Sequence, residues 1–337
     1  MSEASIILPP EWAKQRFVQL TWPHADTDWN YMLDEVNGCF IEIARQITQY
    51  EDLLIICHSE KEIREQLASI NQSRIRFIEL PSNDTWARDH GGITVIENGK
   101  PVIYDFTFNG WGMKFAANLD NLLTRELYEK GVFGENTGYK NKLNFVLEGG
   151  SIESDGQGTL LTTAECLLSD NRNNKSQEEI EEILKETFGL SRILWLHHGY
   201  LAGDDTDSHV DTLARFCSEK IIAYVQCNDP EDEHYEELKA MENELHSFTT
   251  VTGEPYQLIA LPMADPVFED NERLPATYAN FLIINNAVLM PFYNSPKDEI
   301  AKIQLQKAFP TREIVGINCL PLIKQHGSLH CVTMQYI

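Results

Sequence analysis

Positive charge is scarce in this sequence: 27 Lys and Arg stand against 52 Asp and Glu, a formal net charge of −25 over 337 residues. Neutralising a phosphate backbone takes clusters of Lys and Arg, so nucleic acid is not an expected partner. A negative field favours cationic ligands, although solubility alone accounts for most acidic proteins. Also missing is any apolar run near the roughly 18–20 residues that a membrane span needs. The segment from Met1 to Pro10 lacks the basic flank and apolar stretch of a signal peptide. A cytoplasmic protein with no membrane partner is therefore expected. Pairing signals for cysteine are absent too. The seven cysteines (Cys39, Cys57, Cys166, Cys217, Cys227, Cys319 and Cys331) include no Cys-x-x-Cys pair, and their odd number argues against a disulfide framework or zinc ribbon. Most then read as small buried hydrophobes, with room for one nucleophile among them.

No linker or low-complexity tract divides the chain, so residues 1–337 read as one domain. What recurs is a module: an apolar strand, a loop, a hairpin-like strand pair and an acidic amphipathic helix. The copies open at Arg76–Leu80, Phe145–Leu147, Ile193–Leu196, Gln257–Leu261 and Ile314–Ile317. In the first, Ile93–Ile96 and Val102–Phe106 flank Asn98-Gly99, a strong two-residue turn signal. In the third, His209–Phe216 is expected to pair with Ile221–Gln226. The fifth ends at His330–Gln335, and its missing strand and helix are supplied by Arg16–Leu20 and Asp34–Ile47 at the N-terminus. Openings about 50–70 residues apart suit a propeller-like array, and closing a ring hides the edge each module exposes. An α/β fold of five pseudo-symmetric blades is expected over an ordinary open α/β sheet.

Four loops put ionisable groups beside apolar strands: Asn83–Gly92, Leu147–Gly150, Gly203–Asp211 and His326–Cys331. Each lies between the opening strand of a module and its hairpin, so a radial arrangement gathers Asp89, Glu148, His209, Asp211 and Cys331 into one pocket. Taken singly, each has a plainer reading. Cys331 could fill the core, Asp89 could pair with Arg88, and Glu148 could be a solvated loop carboxylate. His209 and Asp211, two apart in a strand-like segment, share a face and could equally be a metal-ligand fragment. His330 adjoins Cys331, but successive strand residues point to opposite faces, so His209 is the better base.

The segments Asn83-Asp-Thr-Trp-Ala-Arg-Asp89, Leu147-Glu-Gly-Gly150, Asp205-Thr-Asp-Ser-His-Val-Asp-Thr-Leu-Ala-Arg-Phe216 and His330-Cys-Val-Thr-Met-Gln335 resemble the motifs of the agmatine deiminase family, also labelled bacterial-type peptidylarginine deiminase. The resemblance spans nearly the whole chain and implies the five-bladed α/β propeller of guanidino-group-modifying enzymes. It also implies a small cationic guanidinium substrate and no metal or organic cofactor. Carried over by position, Cys331 is the nucleophile and His209 the general acid/base. Asp89 and Asp211 hold the guanidinium, and Glu148 is a further carboxylate. The chain departs from the family at His90-Gly91-Gly92, where Thr-Gly-Pro is usual. It departs again at Gly327-Ser328-Leu329, where a longer glycine run is usual.

A guanidinium stays protonated and presents a planar N–H fork, which paired carboxylates match bidentately. Attack needs a thiolate, favoured by the bound cation or by a protonated His209. The expected reaction takes agmatine to N-carbamoylputrescine and ammonia, a step of putrescine-forming polyamine biosynthesis, through a covalent amidino-thioether on Cys331. Trp22, Trp86, Trp111 and Asp205 are expected around the substrate's alkyl-amine end. Alternatives are arginine or peptidylarginine deimination, amidino transfer, a metal-dependent hydrolase, and a binding protein for cationic metabolites. Self-association into a homo-oligomer is compatible with the sequence.

Overall fold

Alternating apolar strands and amphipathic helices build a mixed α/β fold, seen in a computed structural model that describes residues 5–337. Five main sheets share one plan, an antiparallel strand pair extended by a parallel strand from the next stretch of chain. In the first, Ile93–Glu97 and Lys100–Thr107 form the pair and Gly138–Val146 runs parallel to the latter. In the second, Ile152–Ser154 pairs with Thr159–Thr163, and Arg192–Leu196 is the parallel strand. The third joins Ala214–Ser218, Ile221–Gln226 and Gln257–Pro262; the fourth joins Leu282–Ile283, Ala287–Phe292 and Glu313–Asn318.

The fifth sheet joins the ends of the chain. Thr333–Tyr336 pairs antiparallel with Phe17–Thr21, followed by parallel strands Asp52–Cys57 and Ile75–Glu79. The N-terminal strand thus completes the last module, as its sequence position suggested. One grouping differs from expectation. Each opening strand runs parallel to the hairpin before it, and the loop that follows crosses to the next sheet. Those loops therefore lie at sheet-to-sheet junctions.

Local chemistry explains the boundaries. Asn98 and Gly99 take left-handed backbone (φ 49° and 78°), the conformation that a tight hairpin turn demands. Helix Gln177–Phe188 starts in a capping box between Ser176 and Glu179 and stops at Gly189, which is left-handed at φ 68°. Helix Leu33–Tyr50 buries Val36, Phe40, Ile43 and Ile47, a stripe at helical spacing against the apolar strand Asp52–Cys57. Two expected strand segments are shorter than predicted. His209 and Asp211 sit at a short 3-10 turn, Val210–Thr212, and His330 and Cys331 precede the strand that begins at Thr333. No helix among the described residues is long and apolar enough to cross a membrane.

Candidate active site

The junction loops carry the chemistry, one per sheet. Asp89 lies on the helical turn Ala87–His90 before strand Ile93–Glu97. Glu148 precedes the turn Gly149–Ser151 before Ile152–Ser154. His209 and Asp211 come just before Ala214–Ser218, and Cys331 just before Thr333–Tyr336. The fourth sheet supplies Asn280, just before Leu282–Ile283, which sequence reasoning passed over. Its Oδ1 accepts from the Cys331 backbone N–H and from Sγ, both at 3.4 Å. The signal was available: five modules against four ionisable loops left one loop unread, because its contribution is neutral.

Three of these side chains, His209, Asp89 and Asp211, converge on Gly150. A Cβ there would stand 2.7 Å from His209 Nδ1, 2.9 Å from Asp89 Oδ1 and 3.2 Å from Asp211 Oδ2. The Gly150 N–H itself donates to Asp89 Oδ1 at 3.1 Å, while Trp111 Nε1 donates to Oδ2 at 2.9 Å. Glycine is needed here for close approach rather than for an unusual φ. Gly150→Ala is expected to lower turnover about 100-fold or more by displacing these groups, against a stability loss of about 1–3 kcal/mol. Steady-state deimination assays alongside urea unfolding would check it. Wild-type turnover in a folded Gly150→Ala chain would contradict the packing argument.

Among the described residues, no Lys or Arg pairs with Asp89 or Asp211. Asp89, Asp211 and His209 are all buried, with His209 Nδ1 3.6 Å from Asp89 Oδ1. Neither His209 nitrogen has a hydrogen-bond partner, nor does Asp211 Oδ1. Burial and the Asp211 charge push the Asp89 carboxyl well above its usual range, and burial lowers His209 to about 3. His209 is therefore neutral at physiological pH. Burial, with Asp211 and Asp89, also raises the Cys331 thiol well above the ordinary cysteine range. Of the two routes to a thiolate foreseen from sequence, a protonated His209 is disfavoured and a bound cation remains.

Cys331, Asp89, Trp86, Trp111 and Asp205 line one cavity, whose wall and mouth add Asp26, Asp28, Asp84, Asp120 and Lys114. Burial raises Asp84 and Asp205 to about 6 and Asp120 to about 7. Lys114 is engaged by Asp207 Oδ1 at 2.7 Å and the Asp205 carbonyl at 2.6 Å. Trp86 packs edge-on to Trp111, and a Cβ on Gly327 would stand 2.1 Å from its ring. The glycine retained before the cysteine thus makes room for Trp86.

Two expected site residues sit differently. Trp22, predicted beside the substrate, is 1% exposed and packs against Phe40, with Nε1 donating to Gln66 Oε1 at 3.2 Å. It lies outside the cavity lining because it ends a fully buried strand. Glu148 is not a free carboxylate: Arg172 Nε donates to both its oxygens, at 2.9 and 3.1 Å. Nothing in the local sequence marks Arg172, since the pair forms across two loops.

Among the described residues, three clusters offer metal-type donors. His24, Asp26 and His58 lie together, but the two imidazoles stack at 3.6 Å with 25° between planes, so their in-plane lone pairs do not converge on one point. Glu148, Cys166 and His209 form the second, where Arg172 occupies the carboxylate. In the third, Glu11, Glu153 and His330 surround the Arg215 guanidinium. The His209–Asp211 pair does not form a ligand set of its own.

His90 is buried, with neither ring nitrogen partnered among the described residues. Burial lowers it to about 3, so the folded chain resists a proton that the unfolded chain takes up near pH 6.5. A depressed histidine stabilises the fold above the unfolded pKa and costs stability as pH falls from about 6.5 towards 3. His90→Leu should therefore gain about 2 kcal/mol over wild type between about pH 8 and pH 5. Urea unfolding at the two pH values tests this, and a pH-independent difference would refute it.

The sequence profile of the Porphyromonas-type peptidyl-arginine deiminase family matches residues 7–336. A crystal structure from Porphyromonas gingivalis, assigned provisionally as an arginine deiminase, is 56% identical with a TM-score of 0.95, covering 98% of each chain. A cysteine-to-serine variant of C. jejuni agmatine deiminase with substrate bound is 39% identical with a TM-score of 0.93, covering 100% of this chain and 97% of that one. The agmatine deiminase of Pseudomonas syringae pv. syringae is 32% identical, over 97% of this chain and 94% of its own.

Proposed function

The chain belongs to the Porphyromonas-type peptidyl-arginine deiminase family, and from that membership we propose that Cys331 carries out the deimination of agmatine. The enzyme is a hydrolase acting on a guanidino C–N bond; its products are N-carbamoylputrescine and ammonia. The carrying observation is a thiol opening on an acid-lined cavity, beside two buried carboxylates that pair with no Lys or Arg among the described residues. We read the five sheets as blades of an α/β propeller, with residues 1–337 as one catalytic domain around that cavity.

The guanidinium is held by Asp89 and Asp211, and its charge favours the ionised form of Asp89 that burial opposes. With the cation in place, neutral His209 accepts the thiol proton and Sγ forms a bond to the guanidinium carbon. The C=N electron pair moves to nitrogen. His209 passes its proton to one amino group, which leaves as ammonia and yields a cationic amidino-thioether. His209 then takes a proton from water as the hydroxyl attacks the same carbon. Collapse breaks the C–S bond and leaves the ureido product: the hydroxyl proton goes to the released ammonia as ammonium, and His209 returns its proton to the thiolate, restoring the neutral imidazole and the thiol. Every atom comes from agmatine, water and the Cys331 side chain.

The distal end favours an amine. An α-carboxylate at the mouth would face Asp26, Asp28, Asp84, Asp120 and Asp205, with Lys114 already paired. Purified protein offered agmatine, arginine and a C-terminal arginine peptide should form ureido product from agmatine at least about 100-fold faster in kcat/KM. Equal or better turnover of arginine would replace this substrate with the one assigned to the P. gingivalis structure.

A further inference from the structure

We propose that Glu11 and His330 are positioning residues for this reaction, clamping Asp211 from behind so that one of its oxygens faces the substrate guanidinium. The inference rests on the functional reading above and extends it to a segment with no role there. Glu11 sits in the turn after Pro9-Pro10, outside every motif of the sequence. Its Oε1 accepts from the Ile283 N–H at 2.7 Å, and its Oε2 from Arg215 Nη2 at 2.8 Å. The same Oε2 lies 2.7 Å from His330 Nε2, and His330 Nδ1 lies 2.6 Å from Asp211 Oδ2. Asp211 Oδ2 is thereby fixed, and Oδ1, without a partner, is left for the guanidinium.

The proton count gives the clamp a charge state. Each of the two short carboxylate–imidazole contacts needs one proton between its heavy atoms. A neutral imidazole with two ionised carboxylates supplies only one, so the unit holds an extra proton. Asp211, Glu11, Glu153, Arg88 and Arg215 are the charged groups facing His330, all of them buried. Burial and the two guanidiniums lower His330 below the ordinary histidine range, against the pull of Glu11 and Asp211, so electrostatics and contact geometry point opposite ways here. Arg215 Nη2, 3.1 Å from His330 Nε2, donates to the same Glu11 oxygen, so the two donors converge on one acceptor. Contact geometry decides for the imidazolium, because a bare Nε2 lone pair 2.7 Å from a carboxylate oxygen would be repelled. His330, Arg88 and Arg215 then stand against Glu11, Asp211 and Glu153, the last with its carboxyl raised to about 7 by burial.

Removing the Glu11 charge should let His330 lose its proton at lower pH. For Glu11→Gln, the alkaline limb of kcat/KM for agmatine is expected to move acidward by about one pH unit or more, with Glu11→Asp intermediate. A purely structural role would lower the whole profile without moving the limb. Separately, ¹⁵N-histidine spectra of the wild-type full chain at about pH 8.5, far above an ordinary histidine pKa, should show at least one of its ten rings doubly protonated, and Glu11→Gln should abolish that signal. The proposal is overturned if no wild-type ring stays protonated, if the signal survives Glu11→Gln, or if a folded Glu11→Gln chain keeps the wild-type limb. Should Glu11→Gln fail to fold, the wild-type spectrum and the Glu11→Asp limb decide in its place. Failure of agmatine turnover by wild type would sink the functional reading alone, since the ring signal is independent of substrate.

Discussion

Cys331→Ala is expected to abolish ammonia release from agmatine, by on the order of 10⁴-fold or more, while leaving agmatine binding intact. The asymmetry follows from the division of labour in the cavity. Asp89 and Asp211 are fixed by Trp111, Gly150 and His330, not by the thiol, so the guanidinium keeps its partners. Without sulfur there is no covalent intermediate, and water alone must attack a resonance-stabilised cation. Calorimetric binding with single-turnover product analysis would separate the two effects. Residual turnover within about tenfold of wild type, lost on chelation, would establish a metal-dependent hydrolase and end the thiol mechanism.

Arg172→Leu should be the most destabilising single change near the site, costing about 3–5 kcal/mol. Glu148 is fully buried and receives Arg172 Nε at both oxygens, while Arg172 Nη1 reaches Asp207 at 2.6 Å and Nη2 the Thr206 carbonyl at 2.8 Å. The guanidinium thus ties the Glu148 loop to the loop leading to His209. Leucine would leave a charged carboxylate in a dry interior, or force it to take a proton. Adding Glu148→Gln should recover much of the loss by removing that charge, and urea unfolding of both single variants and the double variant measures the coupling. A cost below about 1 kcal/mol for Arg172→Leu would mean that the pair is hydrated and peripheral.

Local patterns and motif order carried much of this molecule. The Asn98-Gly99 turn and the alternation of apolar strands with amphipathic helices depend on short-range chemistry, and the structure has both as read. So does the strand at Phe17–Thr21 that completes the last sheet. The candidate nucleophile, base and carboxylates followed from loops at equivalent places in four modules. Tertiary structure alone decided which neutral or distant groups serve them. Asn280 has no charge to draw notice, and Glu11 meets His330 from 319 positions away. Arg172 finds Glu148 only across a loop junction, and Trp22 is drawn into the core by the strand it ends. Closing the chain's two ends into one sheet brings Glu11 to His330, the loops at the sheet junctions make the other meetings, and burial then fixes the charge states: His209 neutral, Asp89 pushed up, Cys331 a thiol until a cation arrives.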